Sequence, residues 1–420
     1  MMKRYVLAGT GARGLEMFAR PMLNGAHPRA RLVAWYDINP LRMAAANRLT
    51  GSDLPAYTDF DRMIGEVRPD GIIVASRDDT HAGIVIRSLE KGLRVYAEKP
   101  LCISLEQIHA IREAARQSQG ACFVTHNARY NPARHRIREV VQSGCIGEVQ
   151  HIEFRLNLDR RHGADYFRRW HKEKAKSGGL LIHKASHHFD VINWLAGGLP
   201  QKLRAVGGVY FYGKAGPFRG LRCHGCQHAP ECEFHVDLQA DAYRRELYFN
   251  AEREDGYLRD GCVFDPSVDA EDYASVCYTY DNGVRVTYTL CAYATCEGNS
   301  TVVQGTRGRI EHETLTPLPC GPESEPWVKA VSTDFGRLML FDRVGNRLET
   351  LSLPPPEADG HGGSDRRLRA DFFDLDWDAP RPSAMATLDE AVQAVLVGLA
   401  ANRSIARGGA EIDVQSLLSR

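Results

Sequence analysis

The strongest constraint on the fold is the regular alternation of short apolar strands and amphipathic helices through the first 126 residues. Ser104 and Gln107 form a capping box at the start of one helix, residues 104–117, and Gly92 ends another, residues 81–91. The predicted strands are residues 4–8, 31–36, 71–75, 94–97 and 122–125. Because helices that connect parallel strands lie on the faces of the sheet, this pattern predicts α/β structure with a doubly wound parallel sheet, the Rossmann arrangement.

A glycine-rich turn follows the first predicted strand and opens a helix. Its sequence is Gly9-Thr10-Gly11-Ala12-Arg13-Gly14. Glycines at this place let the backbone approach a pyrophosphate, which the amides of the following helix can bind. Asp37 ends the second predicted strand, where a carboxylate accepts hydrogen bonds from ribose hydroxyls and repels a 2′-phosphate. The sequence therefore predicts an NAD site rather than an NADP site, although Arg13 or Arg42 could still partner a phosphate.

The second part of the chain has longer strands in which apolar and polar residues alternate. These strands are predicted at residues 151–156, 273–280 and 284–290, and Asp281-Asn282-Gly283 joins the last two as a hairpin turn. The pattern predicts an α+β domain with an open, mainly antiparallel sheet that has helices on one face. A second subunit is the natural cover for the other face, which predicts a homodimer or a homotetramer.

The length of 420 residues is enough for two hydrophobic cores and therefore for two domains. We expect residues 1–126 to form an NAD-binding domain and residues 127–420 to form a domain for substrate binding and oligomerisation. A polar insertion that bears cysteines, residues 214–265, interrupts the second domain. Thr387 and Glu390 form a capping box at the start of a final helix, residues 387–406.

The charge balance argues against nucleic acid and membrane partners. The chain has 53 lysines and arginines against 53 aspartates and glutamates, so no net field draws it to a phosphate backbone or an anionic lipid surface. No stretch reaches about 18 consecutive apolar residues, and residues 1–14 run straight into the first strand and turn. The sequence predicts a cytoplasmic protein, whose eleven cysteines are thiols or metal ligands rather than disulfides.

The tripeptide Glu98-Lys99-Pro100 directly follows a predicted strand. It therefore lies at the carboxyl edge of the sheet, where open α/β folds bind their ligands. A lysine at this edge can position a substrate hydroxyl and stabilise charge beside a nicotinamide. The alternative interpretation is an ordinary salt bridge on the surface.

Four segments together resemble the Gfo/Idh/MocA family, named after glucose-fructose oxidoreductase, inositol dehydrogenase and rhizopine catabolism. They are the turn at 9–14, residues 76–81, Glu98-Lys99-Pro100, and Asn127-Ala128-Arg129-Tyr130-Asn131-Pro132. The resemblance implies NAD-dependent oxidation or reduction of a sugar or cyclitol, with Lys99 as a catalytic residue. It also implies that Ser76, His81, Glu98 and Asn127 border the cofactor.

That family usually has a glycine-rich turn leading into a helix with an aspartate and, one turn later, a histidine. Here His187 falls on the family's histidine, whereas His183 stands in place of the aspartate. Residues four apart share a helix face, so both imidazoles would point at one substrate, and Asp190 would orient one of them. Because histidine titrates in the range of a general base, we expect His187 to take the hydroxyl proton, with His183 as its helper or as a substrate contact. The same pair could also bind a metal, or either histidine could belong to the core.

Several polar and aromatic side chains near these motifs are suited to bind sugar hydroxyls or a sugar ring. They are Arg129, Tyr130, Trp170, His171 and Lys184. Residues 361–365 either line the same cleft or form a plain glycine turn.

The insertion contains a cluster of four cysteines, Cys223, Cys226, Cys232 and Cys262. A Cys-x2-Cys pair followed by two further cysteines can form a tetrahedral thiolate site, and zinc suits four such ligands. The spacing therefore predicts a structural zinc ion, with His224, His228 and His235 as alternative ligands. An iron-sulfur cluster and unliganded thiols are the alternatives.

Three functions from different classes are compatible with these features. An NAD-dependent dehydrogenase would produce a ketone and NADH, or run in reverse. An NAD-dependent glycosidase would oxidise a ring hydroxyl transiently, eliminate the aglycone and reduce the product again, with His183 as an acid or base for elimination. A non-catalytic sensor would only bind the dinucleotide. The sensor is the least favoured, because Lys99 and the two histidines converge from two domains on one predicted cleft. The dehydrogenase is the main interpretation, and the glycosidase is the alternative.

Overall fold

The structure is a computed structural model that describes residues 2–316, 336–355, 357 and 361–419. Its first sheet contains seven strands, β1 (Lys3–Ala8), β2 (Ala30–Tyr36), β3 (Ala56–Tyr57), β4 (Gly71–Val74), β5 (Arg94–Ala97), β6 (Ala121–Val124) and β15 (Ala386–Thr387). Their order is β15-β6-β5-β4-β1-β2-β3, with parallel pairing from β6 to β3 and an antiparallel pair at β15. The doubly wound parallel sheet predicted from the sequence is confirmed.

Helices cover both faces of this sheet, so strand residues such as Val6, Ile72 and Val95 are fully buried. The longer helices of this part are Pro40–Thr50, Phe60–Val67, Asp78–Glu90 and Leu105–Gln117. After the glycine turn the chain forms the short helical segments Ala12–Gly14, Leu15–Ala19 and Arg20–Leu23. Ser104 caps its helix as predicted, because its hydroxyl accepts a hydrogen bond from the amide of Gln107 at 3.3 Å.

The second sheet contains nine strands. They are β7 (Val149–Asp159), β8 (Pro200–Gly208), β9 (Tyr273–Tyr280), β10 (Arg285–Ala294), β11 (Glu297–Gly305), β12 (Gly308–Thr316), β13 (Arg337–Asp342), β14 (Arg347–Thr350) and β16 (Ile412–Asp413), in the order β14-β13-β12-β11-β7-β10-β9-β8-β16. The predicted hairpin joins β9 and β10, and Gly283 adopts φ +87° in its turn. The central pair β7 and β10 is parallel, and the other pairs are antiparallel. The sheet is therefore mainly antiparallel, as expected.

The second sheet has helices on one face. The longer helices of this part are Pro132–Gln142, Arg160–Phe167, Ser186–Ala196 and Leu388–Ala406. Along β10, Val286 and Tyr288 are buried on the helix side, where Phe189 packs 4.8 Å from the ring of Tyr288, whereas Arg285 and Thr287 are exposed on the other face. Short helical segments lie at Asn127–Tyr130, Trp170–Lys172, Lys174–Ser177, Leu180–His183, Gly213–Ala215, Ala242–Arg244, Arg245–Phe249, Glu252–Asp255, His361–Gly363, Ser364–Arg369, Ala370–Asp374 and Gln415–Leu418.

The C-terminal part of the chain returns to the first sheet before it forms the last long helix. Phe372 and Phe373 pack against Tyr96, with ring centroids 4.8 and 5.3 Å apart, and β15 then pairs with β6. Glu390 and Thr387 form the predicted capping box at the start of the helix Leu388–Ala406. Among the described residues, no helix is long and apolar enough to cross a membrane.

Candidate active site

A cleft of about 750 Å³ opens at the carboxyl edge of the parallel sheet. One end of it is lined by the glycine turn, Asp37 and residues 75–81. The other end is lined by Lys99 together with side chains of the second domain, namely Tyr166, Trp170, His171, His183, Lys184 and His187. Lys99 and the two histidines of the sequence prediction therefore share the walls of one cavity.

The glycine turn has the geometry that a pyrophosphate requires. Gly9 adopts φ +97°, and a Cβ at this position would lie 2.5 Å from the backbone of Ala75 and Ser76. A Cβ on Gly14 would lie 2.3 Å from the carbonyl oxygen of Gly9. Only glycine fits these two places, so the chain can turn tightly below the first helical segment.

Asp37 is held at the edge of this turn. Its Oδ2 accepts hydrogen bonds of 2.8 Å from both the amide and the hydroxyl of Thr10, and its Oδ1 accepts one of 2.9 Å from the amide of Asn39. The carboxylate is buried but lines the cleft. Its fixed orientation and the glycine geometry fit the ribose and pyrophosphate of a dinucleotide.

Arg13, Glu98 and Asn127, all expected at the cofactor, are connected through Asp365. Arg13 donates to Glu98 at 2.8 Å and to Asp365 at 3.2 Å, and Asn127 donates to Asp365 at 2.8 Å. Burial raises the pKa of Asp365, but the hydrogen bond from His361 and the charge of Arg13 outweigh it and hold the pKa below its usual range. His361 lines the cleft, so the turn at 361–365 belongs to the site.

His81 joins two loops of the cofactor end. Its Nδ1 lies 2.8 Å from the carbonyl oxygen of Pro100, and its Nε2 lies 3.1 Å from that of Ser76. Burial lowers the pKa of His81, so the imidazole is neutral and its single N–H serves one of these carbonyls. The Ser76 hydroxyl pairs with that of Thr80 at 2.8 Å. Both residues fix the loop that borders the predicted cofactor.

At the other end of the cleft, His183 connects Lys99 and Asp78. The Nζ of Lys99 donates to the carbonyl oxygen of His183 at 2.9 Å, and Nδ1 of His183 lies 2.6 Å from Oδ2 of Asp78. Burial raises the pKa of Asp78 and lowers the pKa values of Lys99 and His183. These shifts favour the uncharged forms of all three groups. Asp78 was not identified from the sequence.

His187 lies in the first turn of the helix Ser186–Ala196. Its Nδ1 is buried and has no hydrogen-bond partner in the described part of the chain. Burial and the charge of Lys99 lower the pKa of His187 well below its usual range. The imidazole is therefore neutral at pH 7, which is the form that a general base requires. The helix is interrupted at Lys184 and Ala185, so His183 and His187 do not belong to one continuous helix as predicted, but both reach the cleft.

Three residues play other parts than the sequence predicted. Arg129 is 1% exposed and binds both oxygens of Asp190 at 2.7 Å, which places it in the core instead of at the sugar. Asp190 is occupied by this ion pair and does not orient His187. Tyr130 packs in the hydrophobic core beside the first sheet and does not line the cleft.

The predicted zinc site is not supported. Cys223, Cys226, Cys232 and Cys262 do line one small cavity. However, within residues 2–316, 336–355, 357 and 361–419, no three histidine, cysteine or acidic side chains are grouped closely enough to hold a metal ion. Burial raises the pKa values of Cys223 and Cys232, which favours protonated thiols. In the described residues, no third ligand lies close to His183 and His187 either, so a metal ion bound by this pair is not supported.

The insertion reaches across the cleft and covers the glycine turn. The amide of Ala12 donates to the hydroxyl of Tyr248 at 2.8 Å. Asn39 donates to the carbonyl oxygen of Ala251 at 2.9 Å, and Arg42 pairs with Asp255 at 2.7 Å. Leu247 is fully buried in the core beside the first sheet. These contacts join sequence positions more than two hundred residues apart, and no local pattern indicated them.

Comparison with known proteins gives a consistent family. A model described as "Oxidoreductase family, NAD-binding Rossmann fold" matches residues 3–126, and the "GFO/IDH/MocA C-terminal domain" matches residues 135–311. The chain is 29% identical to the putative oxidoreductase YteT of Bacillus subtilis over 96% of both chains. It is 27% identical to inositol 2-dehydrogenase of Rhizobium meliloti over 50% of this chain and 59% of that protein.

A solved structure of levoglucosan dehydrogenase in complex with NADH and levoglucosan shares the fold. The TM-score is 0.69 at 18% identity, and the match covers 99% of this chain and 100% of the other.

Proposed function

The chain belongs to the Gfo/Idh/MocA family of NAD-binding oxidoreductases, and we propose that it transfers hydride between the nicotinamide and a hydroxyl-bearing carbon of a sugar or cyclitol. The observation that supports this proposal is the shared cleft, with the glycine turn and Asp37 at one end and Lys99 and His187 at the other. Bound NAD would supply the hydride acceptor. The cofactor contacts would come from Gly9, Thr10, Gly11, Arg13, Gly14, Asp37, Ser76, His81, Glu98 and Asn127.

The side chains at the substrate end can divide the proton chemistry between them. Lys99 spends one N–H on the carbonyl of His183, so its remaining N–H groups can bind the substrate hydroxyl and stabilise the negative charge that develops on its oxygen. His187 accepts the hydroxyl proton on a free ring nitrogen while hydride leaves the carbon and a carbonyl forms. His183 and Asp78 position Lys99. Of the residues predicted to contact the sugar, Trp170, His171 and Lys184 line the cleft.

The arginines near the turn support NAD in preference to NADP. Arg13 is engaged by Glu98 and Asp365, and Arg42 is engaged by Asp255. Neither guanidinium is free to bind a 2′-phosphate, and Asp37 would repel one.

The experiment that tests the proposed function measures absorbance at 340 nm. Purified protein is incubated with NAD and a panel of sugars and inositols, and NADH is expected to accumulate with at least one of them. The same panel with NADP is expected to react more slowly. Binding of NAD without turnover on any sugar, inositol or corresponding ketone would contradict the proposal and favour a sensor.

The contacts of the insertion support a second candidate, the NAD-dependent glycosidase. Tyr248 and Asp255 cover the glycine turn, which would slow the release of bound dinucleotide. A retained cofactor suits a reaction that oxidises a ring hydroxyl, eliminates the aglycone and then returns the hydride. Release of nitrophenol from nitrophenyl glycosides without net NADH would identify this reaction.

We expect Asp255→Ala to speed the exchange of bound NAD about tenfold. The substitution removes the ion pair with Arg42, whose partners are only 9% and 13% exposed, and partly buried charge-assisted contacts of this kind stabilise by about 1.5–3 kcal/mol. The measurement is the release rate of radiolabelled NAD into an excess of unlabelled NAD. Glu254→Ala, at an exposed neighbouring position, is the control, and equal rates in both variants would show that the insertion does not retain the cofactor.

We also propose that the chain assembles as a homodimer or homotetramer through the open face of the second sheet and works in the cytoplasm. The exposed side chains along β10 support the first proposal. The free thiols of the ten cysteines in the described residues are compatible with a reducing compartment.

A further inference from the structure

The substrate end of the cleft has more cationic side chains than carboxylates. Lys99, Arg169, Lys184 and Arg259 line it. The carboxylates next to them are Asp78, which binds His183, Glu98, which pairs with Arg13, and Asp165, which does not line the cleft. The other arginines of the cleft, at its cofactor end, have carboxylate partners of their own, as Arg13, Arg42 and Arg77 show.

Asp165 does not neutralise its surroundings. It accepts from Arg169 at 2.8 Å and from Arg259 at 2.9 Å, so two guanidinium groups share one carboxylate. Lys184 has no carboxylate partner in the described part of the chain, and its Nζ lies 5.5 Å from the ring centroid of Tyr166. The three histidines at this end, His171, His183 and His187, add no positive charge, because burial lowers their pKa values. The excess positive charge therefore comes from lysine and arginine.

The same lysine and arginine charges act on Tyr166 in the wall of the cleft. Burial raises the pKa of a tyrosine, and it does so at Tyr212 and Tyr278 of this chain. At the buried Tyr166, the charges of Lys184, Lys99 and Arg169 outweigh burial and lower the pKa of the phenol. The pocket thus favours an anion at the place where Tyr166 meets Lys184 and Lys99.

We propose that the sugar bound in this cleft carries a carboxylate, as hexuronates and aldonates do, and that Lys184 and Arg169 bind it. The inference rests on the proposed function, in which Lys99 binds the substrate hydroxyl. Lys184 is then available to bind a second polar group of the sugar, the carboxylate. The rings of Trp170 and His171 are stacked with centroids 3.7 Å apart and give the sugar ring an aromatic surface. A neutral sugar would leave the half-buried Lys184 ammonium without a carboxylate partner.

The test compares matched pairs of ligands, galacturonate with galactose and glucuronate with glucose, by calorimetric titration of the NAD-loaded protein. At least one uronate is expected to bind about 10- to 100-fold more tightly than its neutral partner, since hydrogen bonds to charged groups are worth that much. The difference is expected to shrink as sodium chloride is raised, because salt screens charge. Equal binding of acid and neutral sugar would overturn the inference.

Lys184→Gln is expected to lose most of the preference for the uronate over its neutral partner. Lys176→Gln, which removes a lysine that pairs with Glu173 outside the cleft, should keep the preference. Titration of each variant with NAD shows whether the cleft is intact. A preference that survives Lys184→Gln and Arg169→Gln would overturn the assignment. These titrations measure binding alone, so uronate binding without NADH formation would contradict the proposed function and not this inference.

Discussion

Replacement of Lys99 with methionine is expected to lower turnover about 10³-fold. Methionine keeps the length of the side chain but removes the N–H groups that contact the carbonyl of His183 and that would bind the substrate hydroxyl. Stabilisation of a developing alkoxide and positioned proton transfer each contribute about 10²- to 10⁴-fold in enzymes, so loss of one such group gives this magnitude. Turnover is measured from absorbance at 340 nm with the best substrate of the panel.

The NAD affinity of Lys99→Met, measured by quenching of intrinsic fluorescence, is expected to change less than about threefold, because the glycine turn and Asp37 are untouched. Lys91→Met, at an exposed lysine on the end of the helix Asp78–Glu90, is the control and should retain wild-type turnover. Wild-type turnover in Lys99→Met would exclude the proposed role. Loss of both NAD affinity and turnover would indicate damage to the fold instead.

The free energy of unfolding is expected to fall steeply as the pH drops below about 6.5. Six histidines have pKa values lowered by burial, namely His81, His126, His171, His183, His187 and His188. They are neutral in the folded chain and become charged when the chain unfolds at acid pH. The unfolded state then binds more protons, so acid favours it by about 1.4 kcal/mol per pH unit for each such group. Asp78, Asp272 and Asp371, whose raised pKa values act in the opposite direction, are three groups against six.

Thermal unfolding followed by circular dichroism between pH 8 and pH 5 measures this loss. His188→Phe provides a matched variant, because His188 stacks on Phe154 at 4.6 Å outside the cleft, and phenylalanine preserves the ring. The variant loses a contact of 3.0 Å with the hydroxyl of Tyr288, so it is less stable at pH 8. The free energy of unfolding of this variant should nevertheless depend less on pH, because unfolding below pH 6.5 takes up about one proton fewer. A melting temperature that stays constant from pH 7 to pH 5 would contradict the neutral state of these histidines.

Local sequence signals predicted the main strands of the parallel sheet and three strands of the second sheet, but not β8, β11, β12, β13 and β14. The strands of the parallel sheet, the hairpin at Gly283 and the capping box of Thr387 and Glu390 each depend on residues within a few positions of one another. The two-residue strands β3, β15 and β16 were missed, because they exist only through pairing with distant strands. The parallel contact between β7 and β10 was missed for the same reason.

The residues of the candidate site also fall into two groups, those that the sequence predicted and those that it did not. Lys99, Asp37 and the two histidines belong to motifs that can be read within one segment. Asp78 acts through His183, 105 residues away, and Tyr248 acts on an amide 236 residues away, so neither role could be inferred from spacing. Arg129 lies in a family motif and was assigned to the sugar, but its partner Asp190 lies 61 residues further along the chain and holds it in the core.

The insertion has a mechanical consequence for how ligands enter. If a single crossover joined the parts of the chain that carry the two sheets, the two parts could open by a hinge motion. In this structure, residues 242–255 contact the part that carries the first sheet through the buried Leu247, the hydrogen bond from Asn39 and the ion pair of Arg42 with Asp255. Residues 364–387 also contact this part. Wide opening would have to break these contacts together. The width of the cleft is accordingly set by the folding of the chain.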